Sequence, residues 1–376
     1  MNNNDNSDSP LVVNKHLYHT DRAIAEIRRG MPVLIQTDTC NRLMIASETL
    51  KDDFFDLLVG ESRENIPTYL TITHNRSNQI GFKSQNKIPL SIEITQDLAK
   101  DHIFEFIGLQ KQGESNKISL NTKMFDNDPS IDASIELCKI AKLLPSSIST
   151  ELDVNRAKFL LAGNKFISVS ADDIFAYNFN QANSLEIVSE AKVPLKACKN
   201  TKILAFRPSN GGHEHLAILI NFENKSPVLT RIHSECYTGD LIGSLKCDCG
   251  DQLRGAISTI ANSGGGLLIY LAQEGRGIGL VNKLRAYEMQ ADGLDTVAAN
   301  EMLGFKDDER NYMPAIQILK KLNIENVRLL TNNPNKVSSL IDHGINVSQR
   351  VSHTFPSNHH NWSYLNAKEK KLGHIK

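Results

Sequence analysis

Residues 267–292 read LLIYLAQEGRGIGLVNKLRAYEMQAD and predict the type of fold. The apolar run 267–271 is typical of a buried strand, and residues 280–292 have the periodicity of a helix. Between them, Gly275, Gly277 and Gly279 allow the chain to turn sharply. A strand, a glycine-rich loop and a helix in this order indicate an α/β layer in which helices cover a sheet.

The same alternation of strands and helices continues on both sides of this stretch and divides the chain into two blocks. In the second block, the sequence predicts strands at 203–206, 216–220, 228–232 and 327–330 and helices at 252–263, 312–322 and 336–343. In the first block, it predicts helices at 21–29, 131–144 and 171–177 and strands at 32–35, 43–46 and 165–169. We therefore predict an α/β fold with mixed α+β sheets and two domains, at 13–184 and 185–376. The polar stretch 178–184 is expected to be the linker, residues 1–12 a disordered tail, and residues 366–376 a charged surface tail.

The composition excludes several classes of partner. The chain of 376 residues carries a formal net charge of −1, so its overall field attracts neither nucleic acid nor an anionic membrane surface. No apolar run reaches the roughly 20 residues that span a bilayer, and the polar N-terminus does not resemble a signal peptide. We expect a cytoplasmic protein that holds any anionic substrate with locally placed arginine, lysine and backbone N–H groups.

Three of the six cysteines lie close together, in the pattern Cys236-x10-Cys247-x-Cys249. Thiolates bind Zn²⁺ at about 2.3 Å in a tetrahedral arrangement, and three protein ligands leave one position for water. This pattern favours a catalytic zinc site. Two alternatives stay open: a structural zinc site that is closed by His233 or a distant residue, or three unrelated buried thiols.

Polar residues that suit an anionic ligand follow three of the predicted strands. Arg276 lies in the glycine-rich loop at the start of a helix, where backbone N–H groups and a guanidinium favour phosphate. Residues 231–235 precede the first clustered cysteine, and Thr331 and Lys336 follow the last of these strands. The alternatives are a flexible turn at the glycines, a solvated strand end at 231–235 and a helix-capping loop around Pro334.

Three further side chains are candidates for catalysis. Asp308 and Arg310 are two residues apart in a charged stretch and could form a local ion pair, although such stretches are usually solvated loops. Tyr287 lies on the predicted helix at 280–292. It is either a core aromatic residue with a polar end or a hydroxyl that reaches a metal-bound water.

Taken in order, these stretches closely resemble GTP cyclohydrolase II, over about residues 190–376. The resemblance rests on Arg231-Ile232-His233-Ser234-Glu235-Cys236, Lys246-Cys247-Asp248-Cys249-Gly250, Gln273-Glu274-Gly275-Arg276, Asn282-Lys283-Leu284-Arg285-Ala286-Tyr287, Leu303-Gly304-Phe305 with Asp308-Glu309-Arg310, and Leu329-Leu330-Thr331-Asn332-Asn333-Pro334. It implies that Cys236, Cys247 and Cys249 are the zinc ligands. The residues that it assigns to GTP binding are Arg231, Ile232, His233, Ser234, Glu235, Gln252, Glu274, Gly275, Arg276, Thr296, Thr331 and Lys336.

The resemblance also implies a reaction, in which GTP is hydrolysed to formate, diphosphate and 2,5-diamino-6-(5-phosphoribosylamino)pyrimidin-4(3H)-one, the first step of riboflavin biosynthesis. It implies one Zn²⁺ per subunit, Mg²⁺ with the triphosphate and a homodimer. Asp308 matches the family's proton acceptor, Arg310 its proposed nucleophile, and Tyr287 a tyrosine near the reacting ring. Because a guanidinium is protonated throughout the normal pH range, an electrostatic clamp is an alternative role for Arg310.

The first block is faintly similar to 3,4-dihydroxy-2-butanone 4-phosphate synthase, on stretches such as 23–30, 44–48 and 166–177. That family's acidic metal-binding loop is replaced here by the shorter Thr37-Asp38-Thr39-Cys40-Asn41-Arg42, which has a single carboxylate. Without clustered carboxylates no Mg²⁺ site can form, so we predict a degenerate, inactive domain. Two alternatives stay open: a bifunctional enzyme that also has the synthase activity, and a zinc- and GTP-binding regulator without turnover. The retained Tyr287, Asp308 and Arg310 argue against the regulator.

Overall fold

The computed structural model describes residues 10–62, 66–82, 87–95, 98, 100–110, 120–163 and 166–356. The tails predicted at 1–12 and 366–376 lie outside these residues, apart from residues 10–12 in the first helix. The chain forms two compact units: unit 1 comprises residues 1–177 and 298–307, and unit 2 comprises residues 178–297 and 308–376. No helix in the described part of the chain is long and apolar enough to cross a membrane.

Unit 1 is built on one sheet with helices packed on it. Its described strands are β1 (Val33–Gln36), β2 (Asn41–Ala46), β3 (Tyr69–Ile72), β4 (Leu90–Glu93), β5 (Thr122–Lys123), β6 (Ser146–Leu152) and β7 (Ile167–Ser170). Its helices are α1 (Pro10–Arg28), α2 (Asp52–Glu61), α3 (His74–Gln79), α4 (Lys100–Ile107), α5 (Pro129–Ile140), α6 (Val154–Ala162) and α7 (Ala171–Asn183), the last of which continues into unit 2. The strand order is β5-β4-β3-β6-β2-β1-β7, and neighbours are antiparallel except for β1 and β7.

The packing of α1 on this sheet follows from its sequence. Ala23 and Ile27 lie four residues apart on one face of the helix and are fully buried in a cluster with Val33 and Met44 of the sheet. Gly30 follows with a φ of +75°, and a Cβ there would lie 2.3 Å from the carbonyl oxygen of Thr49. The predicted end of the helix before Gly30 is therefore confirmed.

Unit 2 is built on a second sheet. Its strands are β8 (Glu186–Lys192), β9 (Thr201–Arg207), β10 (His215–Ile220), β11 (Val228–Ser234), β12 (Gly266–Leu271), β13 (Asn326–Leu330) and β14 (Asn346–Val351). The helices that follow α7 along the chain are α8 (Cys249–Asn262), α9 (Leu280–Ala291), α10 (Thr296–Met302), α11 (Met313–Lys321) and α12 (Pro334–Asp342), and residues 298–302 of α10 belong to unit 1. The strand order is β14-β13-β11-β12-β10-β9-β8; the first four strands run parallel and the other pairs are antiparallel.

Helices cover both faces of this sheet. Ile316 and Leu319 of α11 belong to one buried cluster with strand residues, and Ala256 and Ile260 of α8 belong to another. A sheet that is covered on both faces needs strands that are apolar almost throughout. This requirement explains the continuous apolar run at 267–271.

The parallel strands bring the predicted ligand-binding stretches together. β11, β12 and β13 end at Ser234, Leu271 and Leu330. Parallel neighbours place their carboxyl ends at the same edge of a sheet, where α/β proteins bind ligands. The predicted α/β fold with mixed sheets in two domains is therefore confirmed, and its parallel part positions the candidate site.

The structure also differs from the sequence analysis. The polar stretch 178–184, which was expected to be a linker, forms the last turns of α7 up to Asn183, because it contains no glycine or proline that would end a helix. Residues 298–307, expected within a continuous second domain, pack in unit 1. Strand β8 was not predicted, because its side chains are all exposed and therefore show no alternation of buried and exposed positions.

Candidate active site

The three clustered thiols come from the end of β11 and the start of α8. Cys249 is the first residue of α8, and Cys247 precedes it by two residues. The sulfur atoms of Cys236, Cys247 and Cys249, here called the thiol cluster, lie within 4.8 Å of one another, and those of Cys236 and Cys247 are 3.7 Å apart. Two thiolates on one tetrahedral zinc at about 2.3 Å lie about 3.8 Å apart. The thiol cluster therefore has the spacing that a zinc ion requires.

A tight turn packs against the thiol cluster. Residues Tyr237–Leu241 form a single helical turn, and the backbone N–H of Gly239 donates to Cys236 Sγ at 3.3 Å. A Cβ at Gly239 would lie only 2.7 Å from Cys247 Sγ. Any other residue at this position would therefore displace the sulfur atoms or the turn.

The charges around the thiol cluster favour a bound cation. Hydrogen bonds from Cys247 and Cys249, together with the ammonium group of Lys283, hold the pKa of Cys236 well below its usual range. The hydrogen bonds to the Cys236 sulfur in turn raise the pKa of Cys247 to about 11 and raise the pKa of Cys249. Because three adjacent thiolates repel one another, all three ionise together only when a cation offsets their charge. A divalent metal ion fits this donor set.

Lys283 joins the thiol cluster to the glycine-rich loop. Its buried Nζ donates to Cys236 Sγ at 3.0 Å and to Glu274 Oε1 at 2.8 Å. The other carboxylate oxygen of Glu274 accepts from the backbone N–H of Tyr237 at 2.6 Å. Burial opposes the charge on Lys283, but the Glu274 carboxylate and the Cys236 sulfur raise its pKa, so Lys283 stays an ammonium ion.

The buried carboxylate of Asp240 links the tight turn to two strand ends. Its side chain is 7% exposed and accepts from the backbone N–H of Cys236 at 3.1 Å and from the Tyr270 hydroxyl at 2.9 Å. Nε2 of His233 lies 3.3 Å from both carboxylate oxygens. Burial lowers the pKa of His233, so the ring is neutral at pH 7 and its proton lies on Nε2, facing Asp240. Asp240 thus orients both Cys236, a candidate metal ligand, and His233, a candidate substrate-binding residue.

The glycine-rich loop contacts the loop that carries Asp308. The N–H of Glu309 donates to the carbonyl oxygen of Arg276 at 3.1 Å, and Gln273 exchanges hydrogen bonds of 2.6 and 2.9 Å with the backbone of Asn311. Gly277 has a φ of +94°, and a Cβ there would lie 2.5 Å from the carbonyl oxygen of Glu309. Two stretches that are far apart in the sequence are thus held together, and glycine is required where they touch.

Asp308 and Arg310 form the local ion pair that their spacing allows. Nε and Nη2 of Arg310 donate to the two carboxylate oxygens of Asp308, at 2.8 and 2.5 Å. Burial opposes the charge on Asp308, but the guanidinium of Arg310 holds the pKa of Asp308 below its usual range. Both side chains are therefore ionised near neutral pH, with Arg310 as the cation of the pair.

Two further cations are buried near the ends of β11 and β13. Arg231 is 5% exposed and donates to the carbonyl oxygen of Leu330 at 2.9 Å and to Gln252 Oε1 at 2.6 Å. Burial lowers the pKa of Arg231 to about 10, which leaves it protonated at neutral pH. Lys336 is equally buried, and its Nζ donates to the carbonyl oxygen of Ile232 at 2.8 Å. Buried positive charges at this edge suit an anionic ligand.

Four buried polar atoms of the candidate site have no hydrogen-bond partner within the described chain: Arg231 Nε, His233 Nδ1, Ser234 Oγ and the Tyr312 hydroxyl. A buried polar group that is left unpaired costs about 1–3 kcal/mol. The ring centroid of Tyr312 lies 5.7 Å from both the guanidinium carbon of Arg310 and Lys336 Nζ. A polar ligand or water molecules in this region would supply the hydrogen bonds that these atoms lack.

The predicted site residues differ in how much of each side chain a ligand could contact. The Ile232 side chain is fully buried in the core, so only its backbone is available to a ligand. Thr331 is 1% exposed, and its hydroxyl accepts from the N–H of Asn333 at 3.0 Å. The Tyr287 ring lies 5.7 Å from Lys283 Nζ, whereas Thr296 begins α10. The roles of all these residues stay predictions.

Asp240, Lys283 and Gly239 were not among the predicted site residues. Asp240 lies four residues after Cys236, and Lys283 lies four residues before Tyr287, which is a spacing that brings side chains together on a helical turn. Charged residues at this spacing are common, however. Only the fold shows that these particular side chains contact the thiol cluster and its neighbours.

Fold and site together define an α/β protein with a candidate metal site and with buried cations at the ends of its parallel strands. The family model of GTP cyclohydrolase II matches residues 186–352. GTP cyclohydrolase-2 of Azospirillum brasilense is 41% identical over 361 residues, which cover 94% of this chain and 93% of that protein. The chain therefore belongs to the GTP cyclohydrolase II family of enzymes.

Two other similarities concern the domain organisation. The riboflavin biosynthesis protein RibBA of Bacillus subtilis (strain 168) is 44% identical over 210 residues, which cover 55% of this chain and 52% of that protein. RibBX from A. baumannii, a solved two-domain 3,4-dihydroxy-2-butanone 4-phosphate synthase, superposes on 83% of this chain and 93% of its own with a TM-score of 0.35 and 14% identity. Similarity at that level leaves the activity of unit 1 to be argued from its own residues.

Proposed function

We propose that this enzyme is a zinc-dependent GTP cyclohydrolase II that catalyses the first step of riboflavin biosynthesis. It opens the imidazole ring of GTP and releases formate and diphosphate, leaving 2,5-diamino-6-(5-phosphoribosylamino)pyrimidin-4(3H)-one. The observation that carries the proposal is the spacing of the thiol cluster at an edge that also holds Lys283 and the Asp308–Arg310 pair.

The thiol cluster would hold the zinc ion through Cys236, Cys247 and Cys249. When bound, zinc lowers the pKa of a coordinated water toward neutrality and so supplies a nucleophile for the guanine ring. Lys283 offsets part of the thiolate charge, and Asp240 together with the N–H of Gly239 orients Cys236. Groups of this kind, one contact away from a metal ligand, tune both affinity and geometry.

The triphosphate would be held by the cations at the strand ends. Arg276 has a positive φ between two glycines, which turns this loop sharply before α9. Arg231 and Lys336 add buried positive charge. We propose that Mg²⁺ accompanies the triphosphate, since oxygen ligands from phosphate suit that ion.

The pairing of Arg310 supports an electrostatic rather than a covalent role. Two hydrogen bonds to Asp308 keep the guanidinium protonated, and a protonated guanidinium has no lone pair with which to attack phosphorus. We propose that Arg310 stabilises the charge that develops at the α-phosphate while water attacks, and that Asp308 orients Arg310. Proton transfer to Asp308 then requires that the substrate first loosens the pair, because the lowered pKa makes Asp308 a weak base.

Unit 1, in this proposal, has no synthase activity. The segment that replaces the acidic loop closes a hairpin between β1 and β2, with the N–H of Thr37 donating to the carbonyl oxygen of Cys40 at 2.9 Å. Its one carboxylate, Asp38, is exposed. Among the described residues, the thiol cluster of unit 2 is the only group of three or more His, Cys, Asp or Glu side chains with metal-binding spacing.

We also propose that the enzyme is a cytoplasmic homodimer that binds GTP and neither nucleic acid nor membrane. Leu241, Ile242 and Leu245 are 75%, 73% and 59% exposed, and apolar side chains that are exposed this far within five residues of sequence suit a surface that is covered by a partner. Light scattering on the zinc-loaded protein measures the mass. A monomer at micromolar concentration would contradict the dimer.

GTP turnover tests the proposed function directly. The purified full-length protein is incubated with GTP and Mg²⁺, and formate, diphosphate and protein-bound zinc are quantified separately. We expect formate and diphosphate in equal amounts, loss of both after chelation, and recovery after zinc is restored. A zinc-loaded protein that binds GTP and releases no formate would instead be the regulator without turnover.

A further inference from the structure

Two buried tyrosines in the described part of the chain differ in what their hydroxyl groups contact. Tyr177 of α7 is 5% exposed, and its hydroxyl donates to Asp21 Oδ1 at 2.5 Å. Tyr312, the residue before α11, is 7% exposed, and its hydroxyl has no hydrogen-bond partner among the described residues. A buried hydroxyl without a partner destabilises a fold, and phenylalanine would fill the same space without that penalty. The stability of the chain alone therefore does not explain the hydroxyl of Tyr312.

The ring of Tyr312 lies in the core of unit 2. It belongs to one buried cluster with Ile316 and Leu319 of α11. Its centroid lies 5.7 Å from both the guanidinium carbon of Arg310 and Nζ of Lys336. Apolar side chains and two cations thus surround the ring, and a phenylalanine ring would keep the same neighbours.

The charges around the Tyr312 hydroxyl are mostly positive. Burial raises the pKa of Tyr312, although the guanidinium groups of Arg310, Arg276 and Arg231 act in the opposite direction. The hydroxyl therefore keeps its proton at neutral pH and can donate a hydrogen bond. The Asp308 carboxylate also acts on the hydroxyl, but two hydrogen bonds pair it with Arg310. A donor among several cations suits an acceptor that carries negative charge.

A second donor without a partner lies in the same region. Nε of Arg231 is buried and makes no hydrogen bond to the described residues, whereas its Nη1 and Nη2 donate to Leu330 and Gln252. Burial has the largest effect on the pKa of Arg231 and of Tyr312, and each group also acts electrostatically on the other, so the two lie close together. An Nε–H group can only donate, and so both groups suit one ligand with several acceptor oxygens.

We propose that Tyr312 is a further substrate-contacting residue, whose hydroxyl donates a hydrogen bond to a phosphate oxygen of the nucleoside triphosphate, together with Nε of Arg231. This inference rests on the proposed function, in which the cations at the strand ends hold the triphosphate. It adds a neutral donor to these cations. It also explains why the chain has a tyrosine at a position where phenylalanine would be more stable in the absence of ligand.

Pyrophosphate binding to the zinc-loaded, full-length protein tests the inference. Tyr312→Phe removes the hydroxyl and keeps the ring. Tyr177→Phe is the matched control, because it removes a buried hydroxyl that already has a partner in unit 1. Calorimetry measures the Kd of inorganic pyrophosphate. We expect binding to be about tenfold weaker in Tyr312→Phe, the effect of losing one hydrogen bond to a charged group, and unchanged in Tyr177→Phe, with zinc content unchanged in both.

Thermal unfolding without ligand distinguishes a ligand contact from a structural one. Tyr312→Phe should unfold at the same temperature as wild type or higher, because no hydrogen bond within the protein is lost, whereas Tyr177→Phe should unfold at a lower temperature. A lower unfolding temperature of Tyr312→Phe would show that the hydroxyl already has a partner in the free protein, and would overturn the inference.

The outcomes for the inference and for the proposed function are separate. An unchanged Kd of pyrophosphate in Tyr312→Phe would overturn the inference and leave the proposed function intact. A wild-type protein that binds pyrophosphate through Tyr312 but releases no formate from GTP would overturn the proposed function and leave the phosphate contact.

Discussion

The two units of this enzyme each contain a sheet of seven described strands, but the direction of the strands differs. In unit 1, neighbouring strands are antiparallel except for β1 and β7, so most connections leave the sheet at alternate edges. In unit 2, four adjacent strands are parallel, and three of their carboxyl ends lead into the loops of the candidate site. The comparison teaches that strand direction, rather than strand number, determines where polar loops can converge.

The two units differ not only in strand direction but also in the side chains that their connecting loops carry. The β1–β2 connection of unit 1 is a tight hairpin turn with one exposed carboxylate. The corresponding connections of unit 2 carry thiols, glycines and buried cations that are tied to one another by hydrogen bonds. If the comparison is correct, substitutions in unit 2 loops change metal binding or turnover, and substitutions in the hairpin of unit 1 do not.

The largest effect is expected from the thiol cluster. Cys247→Ala removes one of three ligands, and we expect loss of bound zinc and at least a thousandfold loss of GTP turnover. Elemental analysis and a formate assay measure the two quantities. The matched control is Cys198→Ala, which removes another buried thiol of unit 2 outside the cluster and should retain zinc. Full activity in zinc-free Cys247→Ala would end the assignment of the site.

The next largest effect is expected at the ion pair. Asp308→Asn removes the charge that orients Arg310, and we expect turnover to fall by about a hundredfold to a thousandfold while zinc stays bound. Arg310→Lys separates the two roles of the arginine, because near-normal diphosphate release in that variant excludes a covalent intermediate. The surface variant Asp251→Asn serves as the control. Equal activity of Asp308→Asn and Asp251→Asn would show that the pair is merely structural.

A smaller effect is expected at Asp240, whose carboxylate accepts a hydrogen bond from the backbone N–H of the candidate zinc ligand Cys236. Asp240→Asn replaces the acceptor of three hydrogen bonds with a group that can donate, and we expect zinc affinity to fall about tenfold to a hundredfold. Competition with a chelating dye measures this change. Tyr270→Phe, which removes only one of the three donors, should weaken binding less. Unchanged zinc affinity in both variants would contradict the supporting role of Asp240.

The smallest effect is expected in the hairpin of unit 1. Asp38→Asn should leave GTP turnover within about twofold of wild type, since surface changes of this kind have little energetic effect. The wild-type enzyme should also not convert ribulose 5-phosphate to a butanone phosphate in the presence of Mg²⁺. Detection of that product, and its loss in Asp38→Asn, would show that unit 1 is catalytic and that the contrast between the units is wrong.

Much of unit 2 could be predicted from the sequence because central strands such as β12 are apolar throughout. The predicted strand at 267–271 and helix at 280–292 correspond to β12 and α9, and the polar stretches were predicted to follow strands. The pairing of Asp308 with Arg310 also followed from their spacing. These features are local, and local patterns are what a single sequence records most directly.

The rest depends on contacts that no local pattern encodes. The position of Lys283 beside Cys236 requires that α9 and the end of β11 meet in space. The grouping of residues 298–307 with unit 1 depends on Thr73 and Arg76, which lie more than two hundred residues earlier in the chain. The helical structure of the polar stretch up to Asn183 was missed because composition alone was taken to indicate a linker.

The packing of residues 298–307 in unit 1 also has a consequence for the synthesis of the enzyme on the ribosome. Because unit 1 is completed by residues 298–307, its first 177 residues emerge well before their last partners exist. At typical elongation rates of about 5–20 residues per second, this interval is on the order of ten seconds. During that time the guanidinium of Arg76 lacks its acceptor at Met302, so a chain whose synthesis stalls before residue 298 presents an unfinished first unit to chaperones.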